Sequence, residues 1–158
     1  MGQIILVLGA FTLLIFMTMS VNTAISNRVD DSYQAQAILA ATTLAQSMLN
    51  QVTQKAFDDS VVVHPVDSVT HLTPVASLGR DLGEIYPNFD DIDDFNNYSK
   101  KDTIINGIFT TNVAVAYVTP ANLGASSGVR TFYKRITVTM TSRELKNIPI
   151  SLTRICSY

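Results

Sequence analysis

From Ile4 to Met19 the chain is almost wholly apolar, and no charged side chain precedes Arg28. Roughly 20 apolar residues rising about 1.5 Å each cross the ~30 Å hydrocarbon core of a bilayer, so the run is long enough to span one as a helix. Left in water it would expose on the order of 1,500 Å² of apolar surface, which at about 25 cal/mol per Å² amounts to tens of kcal/mol. The stretch must therefore sit in lipid or among other apolar surfaces. A secretory signal would begin with a basic segment and end at a small-residue cleavage site. No Lys or Arg stands ahead of this run, so a cleaved signal peptide is not expected, and flanking charge gives no orientation across a membrane.

The helical pattern continues beyond the run, with no proline before Pro65. Val29, Tyr33, Ala37, Ala41, Leu44, Met48 and Val52 recur at steps of three and four, forming one helix face predicted to pack on the rest of the protein. Ile38, Ala45, Leu49 and Ala56 widen that stripe. Opposite lie Gln34, Gln36, Thr43, Gln46, Asn50 and Gln54, polar but uncharged, a surface suited to contact with protein. One helix over residues 1–57 would be about 80 Å long. Residues 1–27 form its apolar half and 28–57 its amphipathic half. Gly9, which costs roughly 1 kcal/mol against Ala in a helix, and the polar segment from Thr18 to Asn27 are the only expected breaks before Asp58. That segment either marks where the helix leaves a membrane or melts when the subunit enters a polymer.

Residues 58–158 read as a globular head. Within residues 58–103, Asp58, Asp59 and Ser60 end the helix, Val61 to Val63 suggests a short extended piece, and Pro and Gly punctuate a loop region packed by Val75, Leu78, Leu82, Ile85, Tyr86 and Phe89. Residues 104–158 alternate as strands. Asn112–Thr119 is apolar on both faces and expected to be covered on both. Phe132, Lys134, Ile136, Val138 and Met140 alternate with a wetter face, and Ile148, Ile150 and Leu152 lead a last strand toward Ile155. An antiparallel three-stranded meander covered by the amphipathic half-helix follows, giving an α+β fold.

Chemistry-bearing motifs are few. Asp90, Asp91, Asp93 and Asp94, with Asn96 and Asn97, could offer oxygen ligands to calcium. The Gly and distal Glu of an EF-hand are missing, and the expected state is a solvated acidic turn satisfying its own backbone. No nucleophile, His or Gly-rich cradle accompanies these carboxylates, so no enzyme activity and no resident cofactor are expected. His64 and His71 read as surface residues and Asn97-Tyr98-Ser99 as a chance sequon. The lone Cys156 reads as a small buried hydrophobe and excludes an internal disulfide or a Cys-rich zinc site. A net charge of −2 gives no reason to expect nucleic acid as a partner.

An apolar N-terminal half-helix, an amphipathic half laid on a small antiparallel sheet and an exposed loop region together resemble type IV pilins and pseudopilins. Phe89-Asp90-Asp91-Ile92-Asp93-Asp94-Phe95-Asn96 resembles the acidic turn of minor-pilin-like proteins, and Tyr133-Lys134-Arg135-Ile136-Thr137-Val138-Thr139 the strand that follows it. Pilins of the familiar kind carry a basic leader ending in Gly and an acid a few positions into the mature chain. This sequence has Ile5 in that neighbourhood, with Gln3 the only polar residue near it. Either Met1 follows an unseen leader, or the chain belongs to a divergent branch without one.

The resemblance implies a structural subunit of a pilus-like helical filament. Its polymer core would be Ile4, Ile5, Leu6, Val7, Leu8, Phe11, Leu13, Leu14, Ile15, Phe16, Met17 and Met19. It implies a precursor anchored in the inner membrane, assembly by pilus or secretion machinery with copies of itself as the main partner, and an extracellular location. The alternative is a membrane-anchored minor pilin or pseudopilin of a secretion or DNA-uptake machine.

Overall fold

The computed structural model describes residues 2–63, 65–146 and 148–158. Its elements in chain order are α1 (Gly2–Thr53), α2 (Asp59–Val63), three single 3-10 turns (Val69–His71, Val75–Ser77, Asp93–Phe95), β1 (Ser99–Ile104), β2 (Gly107–Tyr117), β3 (Tyr133–Ser142), a further 3-10 turn (Arg143–Leu145) and β4 (Ile150–Ser157). Two compact units divide the chain, Met1–Gln36 and Ala37–Tyr158.

The first unit is helix alone. It runs without a break through Gly9 and through Thr18–Asn27. The hydroxyls of Thr12, Thr18 and Thr23 donate to the carbonyls of Gly9, Leu14 and Met19 at 2.8, 2.7 and 2.9 Å, so these polar groups are satisfied within the helix and carry little cost in an apolar setting.

In the second unit the end of α1 packs on a four-stranded antiparallel sheet of order β1-β2-β3-β4. Ala37, Ala41, Ala45, Met48, Leu49 and Val52 are buried in one cluster with Phe109, Val113, Val115, Ile136, Val138 and Met140. Leu44 packs at the margin of that cluster. The stripe read from sequence is thus a packing face only from Ala37 onward. Val29 and Tyr33 are 46% and 67% exposed and take no part in it. The three alanines at four-residue spacing are each at most 1% exposed, which lets the helix backbone lie close to the sheet.

Several local expectations are corrected. The helix ends at Thr53, because Ala56 leaves it to bridge Asp91: its N–H donates to the Asp90 carbonyl at 3.2 Å and its carbonyl accepts from Ile92 at 2.9 Å. Residues Asp59–Val63 are helical, not extended. Asp58 Oδ1 accepts the Ser60 N–H at 3.2 Å and the Asp58 carbonyl accepts from Val61 at 2.9 Å, so an N-cap overrides the β preference of three valines. Leu82 and Ile85 do not pack the loop region; both are exposed, while Tyr86 and Phe89 join Phe95 and Tyr98 in an aromatic cluster with Phe89 and Phe95 edge to face at 4.9 Å.

The sheet has one strand more than the meander expected, and one face less covered. β1 reads Ser-Lys-Lys-Asp-Thr-Ile, a polar edge strand whose lysines suppress both the apolar signal and edge-to-edge pairing. It joins β2 through the two-residue turn Ile105–Asn106, with Ile104 opposite Gly107. Gly107 has φ +128°, and a Cβ there would stand 2.6 Å from Glu144 Cγ, so both backbone and space require glycine. Along β2, Phe109, Thr111, Val113, Val115 and Tyr117 are buried, but Asn112 and Ala114 are exposed. Of the apolar outer positions, Ala114 is small and stays in water at little cost, Ala116 is half-buried and Ile108 is 59% exposed.

Replacing Ala45 by Leu overfills the helix–sheet contact. The unfolding free energy of the Ala37–Tyr158 unit, followed by urea titration of the whole chain in detergent, falls by about 1–3 kcal/mol. Ile38→Leu, at a side chain 42% exposed, shifts it by less than about 0.5 kcal/mol.

Candidate functional site

Two features of the chain carry chemistry beyond packing. The first is the helix surface of the Met1–Gln36 unit. An 18-residue window of α1 has a mean hydropathy of 2.5 and none of it is buried. Ile4, Ile5, Leu6, Val7, Leu8, Phe11, Leu13, Leu14, Ile15, Phe16, Met17 and Met19 are each between 54% and 75% exposed. This apolarity surrounds the helix and is not a stripe, as required of a segment bounded by lipid or by like helices on every side.

The second feature lies in the Ala37–Tyr158 unit, where β3 places Lys134 in phase with Ile136, Val138 and Met140 on the buried face of the sheet. Its side chain is fully buried. The ammonium donates to Asp58 Oδ2 at 3.1 Å, to Asp93 Oδ1 and to the Phe57 carbonyl. The Phe57 and Tyr117 rings flank it, with centroids 4.4 and 5.2 Å away. Asp58 Oδ2 also accepts the Thr73 N–H at 2.9 Å and lies 3.2 Å from the Tyr117 hydroxyl, which donates to the Thr73 carbonyl at 2.9 Å. Thus the residues after α1, the 72–73 segment, the Asp93–Phe95 turn and two strands converge on one ammonium.

This arrangement overturns the solvation expected of the acidic turn, though Asp91 and Asp94 do accept the turn's own N–H groups. Asp91, Asp93 and Asp94 are 4%, 3% and 3% exposed, and only Asp90 faces solvent. A buried carboxylate needs donors or a counter-charge, and each finds them. Asp93 has Lys134. Asp91 accepts the N–H groups of Asp59 and Asp94 at 2.8 and 3.1 Å. Asp94 accepts those of Asp81 and Asp90 at 3.3 and 3.2 Å. The four aspartates therefore do not form one calcium ligand set. Asp90 and Asp94 instead meet Glu84, with one oxygen of each within 4.8 Å of the others, and these are the three carboxylates placed to share a cation among the described residues.

The titration behaviour follows from this crowding. Burial, aided by the Asp93 charge, pushes Asp91 up to about 7. A carboxyl-to-carboxyl hydrogen bond with Asp94, then desolvation and the charges of Asp94 and Asp90, raise Glu84 to about 7. Desolvation and the Asp90 charge raise Asp59 to about 6. Burial also raises Asp93, against the pull of Lys134. Asp58 goes the other way: burial pushes it up, but the Thr73 N–H and the Lys134 charge outweigh burial and hold it below the ordinary aspartate value.

The remaining sequence candidates stand apart from both features. His64 lies outside the described residues. His71 is exposed, 3.7 Å from Asp67. Cys156 is half-buried against the core. Lys134 and Tyr117 are the functional-looking residues that sequence reasoning passed over, although a lysine in register with three inward apolar residues was a visible signal. Compared with protein-family models, curated proteins and solved structures, the chain matches none.

Acids whose folded pKa lies above the unfolded value hold a proton that the unfolded chain has already released. Their stabilising contribution is complete below about pH 4 and is lost as pH rises through 6 to 7. The unfolding free energy of the Ala37–Tyr158 unit should accordingly be larger at pH 5 than at pH 8, by urea titration at constant ionic strength. Asp91→Asn, which carries no titrating proton, should reduce that difference.

Proposed function

We propose that the chain is a structural subunit of a pilus-like helical filament, polymerised through the apolar helix surface between Ile4 and Met19. One observation carries this reading: a charge-free segment long enough to span a bilayer has its large apolar side chains more than half exposed and no cover from its own chain. Two environments satisfy such a surface, the hydrocarbon of a membrane and a bundle of identical helices. A subunit that uses both in turn is stored in the inner membrane and transferred to a polymer at little net cost in apolar exposure. A head-to-tail contact repeated without closure builds a helical filament from one interface.

The packing of the end of α1 on a small antiparallel sheet is compatible with the type IV pilin shape and supports placing the subunit beside that group. On this reading the filament is extracellular, and pilus or secretion machinery extracts the precursor from the inner membrane. The uncharged α1 residues Gln34, Gln46 and Gln54 suit contacts between neighbours, because amides there need no counter-ion. Assembly is driven by apolar burial, so the role asks for neither catalysis nor a cofactor.

Charge placed in the middle of the apolar segment tests the reading. Leu14→Lys expressed in the native host should abolish sheared extracellular fibres, as counted by negative-stain microscopy. Leu14→Ile should leave them at the wild-type level. A chain lacking Met1–Ser20 should sediment as a soluble monomer; its continued polymerisation would refute the packing role. A wild-type chain found only as a membrane-bound monomer would favour the fixed, minor-component reading instead.

A further inference from the structure

Lys134 does more than pair with two acids. Its Nζ touches Asp93 Oδ1, so the carboxyl carbon of Asp93 is one bond from the atom it contacts. The other oxygen, Asp93 Oδ2, is buried without a hydrogen-bond partner. On the other side of the nitrogen, Asp58 Oδ2 stands 3.1 Å away, held in place by the Thr73 N–H. Lys134, Asp58 and Asp93 are 0%, 0% and 3% exposed, and the Phe57 and Tyr117 rings close the site. A nucleophile, an electrophilic carbon and a proton carrier thus share a dry compartment. None of the three is needed for polymerisation through α1.

The geometry points to a self-formed isopeptide bond between Lys134 Nζ and Asp93 Cγ, with Asp58 as the proton carrier. Transfer of one proton from the ammonium to the contacting Asp93 carboxylate gives the neutral amine and acid that the reaction uses. The amine lone pair then attacks Cγ, forming the N–C bond. The Asp58 carboxylate takes the second nitrogen proton and delivers it to the hydroxyl that leaves as the C–O bond breaks. One water departs, Asp58 is regenerated, and nothing is oxidised or reduced. Fixed proximity substitutes for the concentration that amines and acids lack in water, and exclusion of solvent opposes hydrolysis.

The opposite directions of the two aspartates, Asp93 raised and Asp58 lowered, suit an acid that is attacked beside a base that shuttles. The product changes which charge is buried: Asp58 loses its ammonium partner and keeps the Thr73 N–H at 2.9 Å and the Tyr117 hydroxyl 3.2 Å away. It replaces two buried ionisable groups by a neutral amide and eliminates one of the Asp93 oxygens. The bond would tie the Asp93–Phe95 turn to β3 across 41 positions of sequence.

Mass spectrometry of the purified full chain, kept folded in detergent at neutral pH, decides the matter. The expected mass is that of the sequence less one water, about 18 Da. Trypsin should fail to cut after Lys134 and should release the Asp81–Lys100 peptide joined to Thr131–Arg135. An intact mass equal to the sequence overturns the proposal. So does a water loss carried on a linear peptide, which marks dehydration of an aspartate. Lys134→Arg keeps a buried cation and should show neither the mass loss nor the joined peptide. Asp58→Asn, checked for retained secondary structure by circular dichroism, should slow bond formation at least tenfold, and an unchanged rate would remove Asp58 from the step.

Discussion

Burial of the Lys134 ammonium is the interaction on which the Ala37–Tyr158 unit depends. A lone charge in a protein interior is costly, so the chain must bring partners to it from wherever they lie in sequence. It does so from four directions: the Phe57 carbonyl, Asp58, Asp93 and the flanking aromatic rings. Both carboxylates lie where chain segments meet. Asp58 caps α2, and the turn bearing Asp93 leads into β1. Such a centre adds little net stability over an apolar one of the same shape, but loss of one partner strands the others. Its contribution is to fix how the residues after α1, the acidic loop and the sheet meet.

The apolar helix of the Met1–Gln36 unit poses the reverse problem. There the large apolar side chains are exposed, and hydroxyls that could have weakened the apolar surface are turned onto their own backbone carbonyls. One unit thus satisfies costly groups internally, while the other leaves its large apolar side chains exposed. A filament subunit with a membrane-stored precursor, as proposed, needs this division.

How much of this was legible in the sequence depends on whether the controlling interaction was local. The α1 face from Ala37 to Val52 and the period-two strands were readable, because helix and strand periodicity act over a few residues. Val29 and Tyr33 continue the same period yet stay exposed, since periodicity does not say where a partner surface ends. β1 was hidden by its own lysines, and α2 by three valines whose β preference yields to the Asp58 cap. The acidic loop was misread for a different reason. Four carboxylates within five residues signal solvent when taken alone, but Lys134 and the Asp59 and Asp81 N–H groups, which join the turn's own donors in satisfying three of them, come from distant positions. Lys134 was the available clue, in phase with Ile136, Val138 and Met140, and its burial required an acid nearby.

Ile4–Met19, on the proposed function, is an interface between copies. A helical reconstruction of fibres sheared from the native host tests it most directly. In such fibres these segments from neighbouring copies should contact one another along the fibre axis, with Phe11 and Leu14 buried between them. Fibres joined instead through the free edges of β1 and β4, with the apolar segments out of mutual contact, would contradict it.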